Sequence, residues 1–383
     1  MKHSTDRILT THAGSLPRPT DLRQAMRADE EAASPARIRS AVAEVVERQL
    51  AIGLDVVDDG EMSKPSFVTY VQDRLAGFEV EGEPAGFPWA ESREVLAFPD
   101  FYEASVRQGG NDARRAPRLA CTGPVVYTGH DAVRADIANL KAALGAHDVG
   151  DAFIPAISPS NIEGRWPNRH YKTDEDYLFA IAEAMGEEYA AIVDAGLLLQ
   201  IDDPRLVTYY IMQPGATVAD CRRWAEVRVE ALNHALRHIP RDRVRFHTCY
   251  SINMGPRVHD MQLRDIVDVL LKVRAGAYSF EAANPRHEHE WRVWRDVKLP
   301  EDAVLIPGVI TQSTVLVEHP ELIAERLARF ASAVGRERVI AGADCGFASF
   351  AGSTEIHPTI AWAKLQALVD GARLASKQLW SGT

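Results

Sequence analysis

"RVRFHTCYSI", residues 243–252, decides the fold. Val244, Arg245 and Phe246 alternate as a short strand does, and the strand runs out into His247 and Cys249 with a single threonine between them. A lone His-x-Cys says little. Two soft metal ligands at the end of a strand gain meaning if other strands end in the same place.

Other short β-branched runs flank it. "RILTTH" (7–12), "LDVVDD" (54–59), "RLAC" (118–121), "LLLQID" (197–202), "AYSFEA" (277–282), "VLIPGV" (304–309) and "RVIAGA" (338–343) bring the number of strands to eight. A ninth, "AFIPAIS" (152–158), lies in a stretch rich in Pro, Ser and Asn and reads as part of an insertion. Between the strands lie helical patterns. "PARIRSAVAEVVERQLAIG" sets Ile38, Val42, Val45 and Val46 on one face and closes on Gly53. A second pattern opens on Thr173 and Asp176 in capping-box spacing and closes on Gly196; a third has Pro320 in its first turn and Gly335 at its end. Strand and helix alternating at this spacing require a parallel sheet, because parallel neighbours need a crossover. Eight units predict an α/β protein with the (β/α)₈ TIM barrel architecture, 1–383 forming one barrel, with insertions after strands two and three at about 79–117 and 147–172. No G-x-G-x-x-G or Walker sequence follows any strand, which speaks against an open nucleotide-binding sheet.

Composition agrees with a globular protein: 383 residues, 46% apolar and 25% charged. The net charge of −11 disfavours nucleic acid and anionic membranes as partners. The start "MKHSTDRILTTHAGS" has no apolar core of a signal peptide, so a cytoplasmic location is expected. Four cysteines far apart in sequence do not suggest a disulfide framework. The composition is compatible with a homo-oligomer.

In a (β/α)₈ barrel the C-terminal strand ends share one mouth, and sites are built there. The unusual polar residues of this chain fall at those ends: His12, Ser15 and Arg18 after strand one, Glu61 after strand two, Asp202 and Asp203 after strand four, His247 and Cys249 after strand five, Glu281 after strand six and Cys345 after strand eight. Two thiolates, an imidazole and a carboxylate suit zinc, so His247, Cys249, Glu281 and Cys345 are the expected ligands. Taken singly, each has a plainer explanation as a packed cysteine, a core histidine or a solvated carboxylate. Cys121 and Cys221 read as packing residues, Cys221 lying inside a helical pattern. His287 and His289 fit surface positions and substrate contacts equally well.

The residues "HAGSLPRP", "DDGE", "TGP", "QIDDP", "HTCY", "SFEA", "PGV" and "DCGF", in that order, resemble the catalytic barrel of cobalamin-independent methionine synthase and its single-barrel relatives. The resemblance implies a zinc enzyme that moves a methyl or alkyl group from a donor to a small-molecule thiol, homocysteine by default. It places His247, Cys249, Glu281 and Cys345 on the metal and likens Ala13, Gly14 and Ser15 to the loop that holds the amino-acid part of homocysteine. Glu61 and Asp202 would grip its ammonium; His12 and Arg18 belong to the same first-strand motif and join the expected substrate site. A relative that opens epoxides with coenzyme M implies an alternative thiol or electrophile, for which Arg18, Arg165 or Arg169 would suit a sulfonate. From another class, a zinc hydrolase or a uroporphyrinogen-decarboxylase-like lyase is the competing reading, disfavoured by the cysteines. Two positions depart from the pattern. His130 follows "TGP" where the family has a folate-stacking tryptophan, and Gln312 with Ser313 stands where the family has a proton-donating histidine.

Overall fold

The computed structural model describes the chain except residues 28–33, 83–88, 108–117, 148, 251–254, 352–355 and 382–383. Among the described residues ten strands run in chain order: β1 (Leu9–Thr10), β2 (Val56–Asp58), β3 (Leu75–Val80), β4 (Leu119–Tyr127), β5 (Asp151–Ile157), β6 (Leu198–Asp202), β7 (Val244–Thr248), β8 (Ala277–Phe280), β9 (Val304–Ile310) and β10 (Ile340–Ala343). Eight of them form one parallel sheet in the order β1-β10-β9-β8-β7-β6-β5-β2. The remaining gap, between β1 and β2, is bridged by a backbone hydrogen bond from Asp55 N to Thr10 O at 3.2 Å and by side chains. Asp55 accepts from Thr10 N at 2.9 Å, and the Thr11 hydroxyl donates to Val56 O at 3.2 Å. Helices pack outside, so this is the expected (β/α)₈ TIM barrel.

Helix ends obey the local chemistry. Helix Pro35–Ile52 opens on Ser34, whose hydroxyl accepts from Arg37 N, and stops at Gly53 with φ 90°. Helix Asp174–Asp194 opens on Thr173, which accepts from Asp176 N. Helix Pro320–Val334 has the expected proline in its first turn.

One strand assignment is corrected. "RLAC" begins β4, which pairs antiparallel with β3 in a two-stranded sheet apart from the barrel. The third barrel strand is β5, inside the stretch read as an insertion at 147–172. Its near-continuous burial is what a parallel strand covered on both faces requires, and Pro155 within it disguised it. The long excursion therefore lies between β2 and β5. Part of the insertion read at 79–117 falls outside the described residues.

Gly308 in β9 shows how tightly the rim is assembled. A Cβ there would lie 2.6 Å from the backbone N and Cα of Asp344. It would meet the Asp344 carboxylate Oδ1 first, closer still, and the backbone behind it cannot swing away, so Gly308→Ala should cost about 3 kcal/mol. Thermal unfolding checks this; a variant melting with the parent would disprove the close approach. Among the described residues no helix is long and apolar enough to cross a membrane.

Candidate metal centre and active-site cavity

β7 ends where the sequence placed it. His247 is its penultimate residue, and Cys249 follows at once. Across the rim, β10 leads through Asp344 to Cys345. Ligand atoms of His247, Cys249 and Cys345 lie within 4.8 Å of one another, and the two Sγ atoms are 3.4 Å apart. All three residues are buried. His247 Nδ1 is hydrogen-bonded to Ser279 Oγ at 2.9 Å, whereas Nε2 is buried without any partner. Burial, with Arg245 nearby, pulls the imidazole down to about 3, which leaves a neutral ring with a free lone pair. An orphaned ring nitrogen converging with two thiols is a donor set that could hold a metal ion.

Glu281, the fourth expected ligand, is not in that cluster. Its Oε1 accepts from Tyr250 N at 2.7 Å, and its Oε2 accepts from Arg257 Nη2 at 2.9 Å and Asn284 Nδ2 at 2.7 Å. Burial pushes its carboxyl up to about 7, with Arg257 opposing. Asp344 shapes the loop after β8: its carboxylate accepts from the backbone N–H groups of Ala282, Ala283 and Asn284 at 2.7, 2.8 and 3.0 Å.

The three donors open into a cavity of about 500 Å³ that also reaches Ser15, Glu61 and Asp202. The placements of the expected substrate residues divide. Ser15, Glu61 and Asp202 face the cavity. Glu61 Oε2 is buried with no partner, and Glu61 itself holds φ 56°, a left-handed backbone uncommon outside glycine. Burial raises the pKa of both carboxyls, and the Glu61 charge raises Asp202 further, to well above the usual carboxylate range; Lys64 opposes both shifts. A buried acidic pair of this kind attracts a cation.

His12, Gly14 and Arg18 support the site from behind. His12 Nδ1 accepts from Gly14 N at 3.2 Å, so its Nε2 carries the proton and donates to Gln49 Oε1 at 2.8 Å. Gly14 holds φ 117° with Pro155 so close that a Cβ would meet its Cγ at 2.9 Å. The Arg18 guanidinium is spent on the carbonyls of Ala348, Glu61 and Lys64, tying three strand-end loops together. Neither His12 nor Arg18 lines the cavity.

Several contributors had no sequence signal. Arg245, inside the barrel, bonds Thr11 Oγ1 at 3.0 Å and His12 O at 2.9 Å with its guanidinium 3.8 Å from the Phe153 ring centroid. Gln200 Nε2 bridges Ala13 O and Asp202 Oδ1 at 2.8 and 2.9 Å. Lys64, three residues after Glu61, is buried and donates to Pro155 O. His130 is exposed beside Glu187, away from the cavity. Gln312 is buried with both amide atoms unpartnered. Cys221 is packed in helix Val218–Ala235, and Cys121 is buried on β4, its Sγ donating to Gly123 O.

A family model described as the catalytic domain of cobalamin-independent synthase matches residues 8–96. A methionine synthase of Sulfurisphaera tokodaii is 24% identical, covering 97% of this chain and 93% of the relative. The resemblance to the cobalamin-independent methionine synthases is borne out. A methionine synthase of Thermococcus kodakarensis is also 24% identical, covering 97% of this chain and 94% of its own length. Among solved structures, a B12-independent methionine synthase from Shewanella sp. W3-18-1, in complex with selenomethionine, superposes with a TM-score of 0.75 at 18% identity. The match covers 98% of this chain and 99% of that one, and it establishes the shared barrel.

Proposed function

We propose that the chain transfers a methyl or related alkyl group to a small thiol bound at His247, Cys249 and Cys345, with zinc as the metal and homocysteine as the first candidate. The observation that carries this reading is the cavity itself, which joins a two-thiolate, one-imidazole cluster to the cation-seeking pair Glu61 and Asp202. The naming of the relatives as methionine synthases supports it. Zinc bound there would supply a coordinated sulfur that is deprotonated at neutral pH yet keeps a lone pair for attack on carbon.

This chain's residues supply the rest. Glu61 and Asp202 hold the ammonium, Ser15 faces the same end of the cavity, and His247 stays neutral. In the transfer the donor–carbon bond breaks, the sulfur–carbon bond forms, and the pair stays with the leaving group. Gln312 cannot give that group a proton, so donors that leave without one, such as a sulfonium or a metal-bound methyl, suit this chain better than a tertiary amine. Metal analysis of the purified chain, with calorimetric titration of homocysteine, tests the reading. It predicts one zinc per chain and a proton released on thiol binding; a metal-free protein of full activity would end it.

A second thiol class is favoured by one observation. Arg18 is engaged with backbone and Arg169 with Glu81, but Arg165 lines the cavity, is half-buried, and has no hydrogen-bonded or ion-paired side-chain partner among the described residues. Burial lowers its pKa, the mark of a guanidinium short of a counter-ion. A thiol bearing a sulfonate would satisfy it. Arg165→Leu should weaken such a thiol by about tenfold or more while leaving homocysteine within about twofold. Equal losses for both thiols would refute this reading.

A further inference from the structure

The residue that sequence reasoning placed on the metal is claimed by a guanidinium. Glu281 gives both carboxylate oxygens to protein donors, and the charged one is Arg257, 2.9 Å from Oε2. Arg257 is not a passing surface contact. It is buried, its Nε donates to Asp260 Oδ2 at 3.0 Å, and its own backbone N–H donates to Glu94. Its φ of 59° puts a bulky side chain on left-handed backbone, a conformation that persists only where the surroundings enforce it.

Those surroundings form a second layer. Asp260 Oδ2 also meets His287 Nε2 at 3.1 Å, and His287 Nδ1 meets Glu290 Oε2 at 2.8 Å. The His287 ring stacks on Tyr250 with centroids 3.8 Å apart, and Tyr250 is the residue whose N–H fixes Glu281 Oε1. The segment "NPRHEHE" (284–290), which the thiol chemistry left without a role, therefore supplies three of these partners in Asn284, His287 and Glu290. It also explains why His287 is buried rather than on the surface.

We propose that Arg257 is a positioning residue that withholds Glu281 from the metal, so that His247, Cys249 and Cys345 form a three-ligand site whose fourth position stays open for the thiol. The proposal rests on the thiol-transfer reading above. A fourth protein ligand would close the tetrahedron, and an incoming thiol would have to displace it. Pairing the carboxylate with a fixed guanidinium removes that competitor before substrate arrives. It also neutralises a negative charge beside the two protein thiolates, which eases entry of a third sulfur anion.

The test uses the full chain loaded with zinc, with affinity read by chelator competition, and with cobalt(II) in place of zinc for its ligand-sensitive absorption. Glu281→Gln should keep one metal per chain, with affinity within about threefold of the parent and an unchanged cobalt spectrum. Arg257→Met should free the carboxylate to ligate: metal affinity rises about tenfold or more, the cobalt spectrum shifts, and thiol affinity falls. Arg257→Lys, which keeps the charge, should restore the parental values, and Arg257→Met with Glu281→Gln should return metal affinity to that of the parent. A large loss of metal in Glu281→Gln, or a cobalt spectrum changed by that substitution alone, would make Glu281 a ligand and overturn the proposal, even if Arg257→Met does not fold. A parent chain that binds no zinc overturns the thiol-transfer reading instead.

Discussion

Replacing Cys345 with serine is expected to lower metal affinity by more than about 100-fold and to reduce thiol alkylation to background. Loss of a hydrogen-bonding partner behind a ligand already costs up to about 100-fold, and loss of a ligand must exceed that. The geometry leaves no substitute. The two Sγ atoms stand 3.4 Å apart in a buried site, and Glu281 is committed to Arg257, Asn284 and Tyr250. A thiol must lose its proton to bind a metal, so metal affinity should fall as pH is lowered. Serine nearly matches cysteine in size but does not ionise at neutral pH, so the fold should survive while the donor is lost. Circular dichroism and chelator competition on the same sample separate these outcomes. A serine variant that keeps the parental affinity would remove Cys345 from the centre.

How much of this was written in the chain follows from the range of the interactions involved. Strand ends carrying His247, Cys249 and Cys345 were legible because chemistry and period coincide: alternation stops where a side chain able to bind metal stands, and the three converge. Gly53, Thr173 and Pro320 marked their helix ends because capping is local. The third barrel strand was not legible. Pro155 and the following "SPSN" look like loop, yet β5 is held by two parallel neighbours far away in sequence. β4 carries the stronger β-pattern and nevertheless pairs outside the barrel, with β3. Glu281 illustrates a different limit. Its position on the rim could be read, but its partner Arg257 arrives from another loop on left-handed backbone, and nothing near Glu281 in sequence announces that pairing. Arg18 fails likewise: an arginine after the first strand suggests an anion, while the fold spends it on three carbonyls.

The second large effect belongs to the acidic pair. Glu61→Gln or Asp202→Asn should weaken homocysteine by about 100-fold or more, because removing one partner of a buried charged contact costs roughly 3–5 kcal/mol. A thiol of similar size without an amino group should lose little, and this contrast distinguishes ammonium recognition from general damage to the cavity. Acidity gives an independent check. Both carboxyls are raised by burial, and Asp202 further by Glu61, so the empty pair retains protons above the ordinary carboxylate range. A bound ammonium favours the ionised forms, which means that its binding expels protons from the pair. Ammonium affinity must therefore rise with pH from the ordinary carboxylate range up through the raised one, and flatten once both groups are ionised. The same groups contribute in the opposite sense to the ligand-free fold. Their folded pKa values exceed the unfolded ones, so the stability they add at low pH is lost as pH rises through that window. Titration calorimetry of homocysteine against its des-amino analogue, repeated across pH, reads the first slope, and thermal unfolding of the ligand-free chain across pH reads the second. Parallel curves for the two thiols would remove Glu61 and Asp202 from substrate recognition, whatever the metal does.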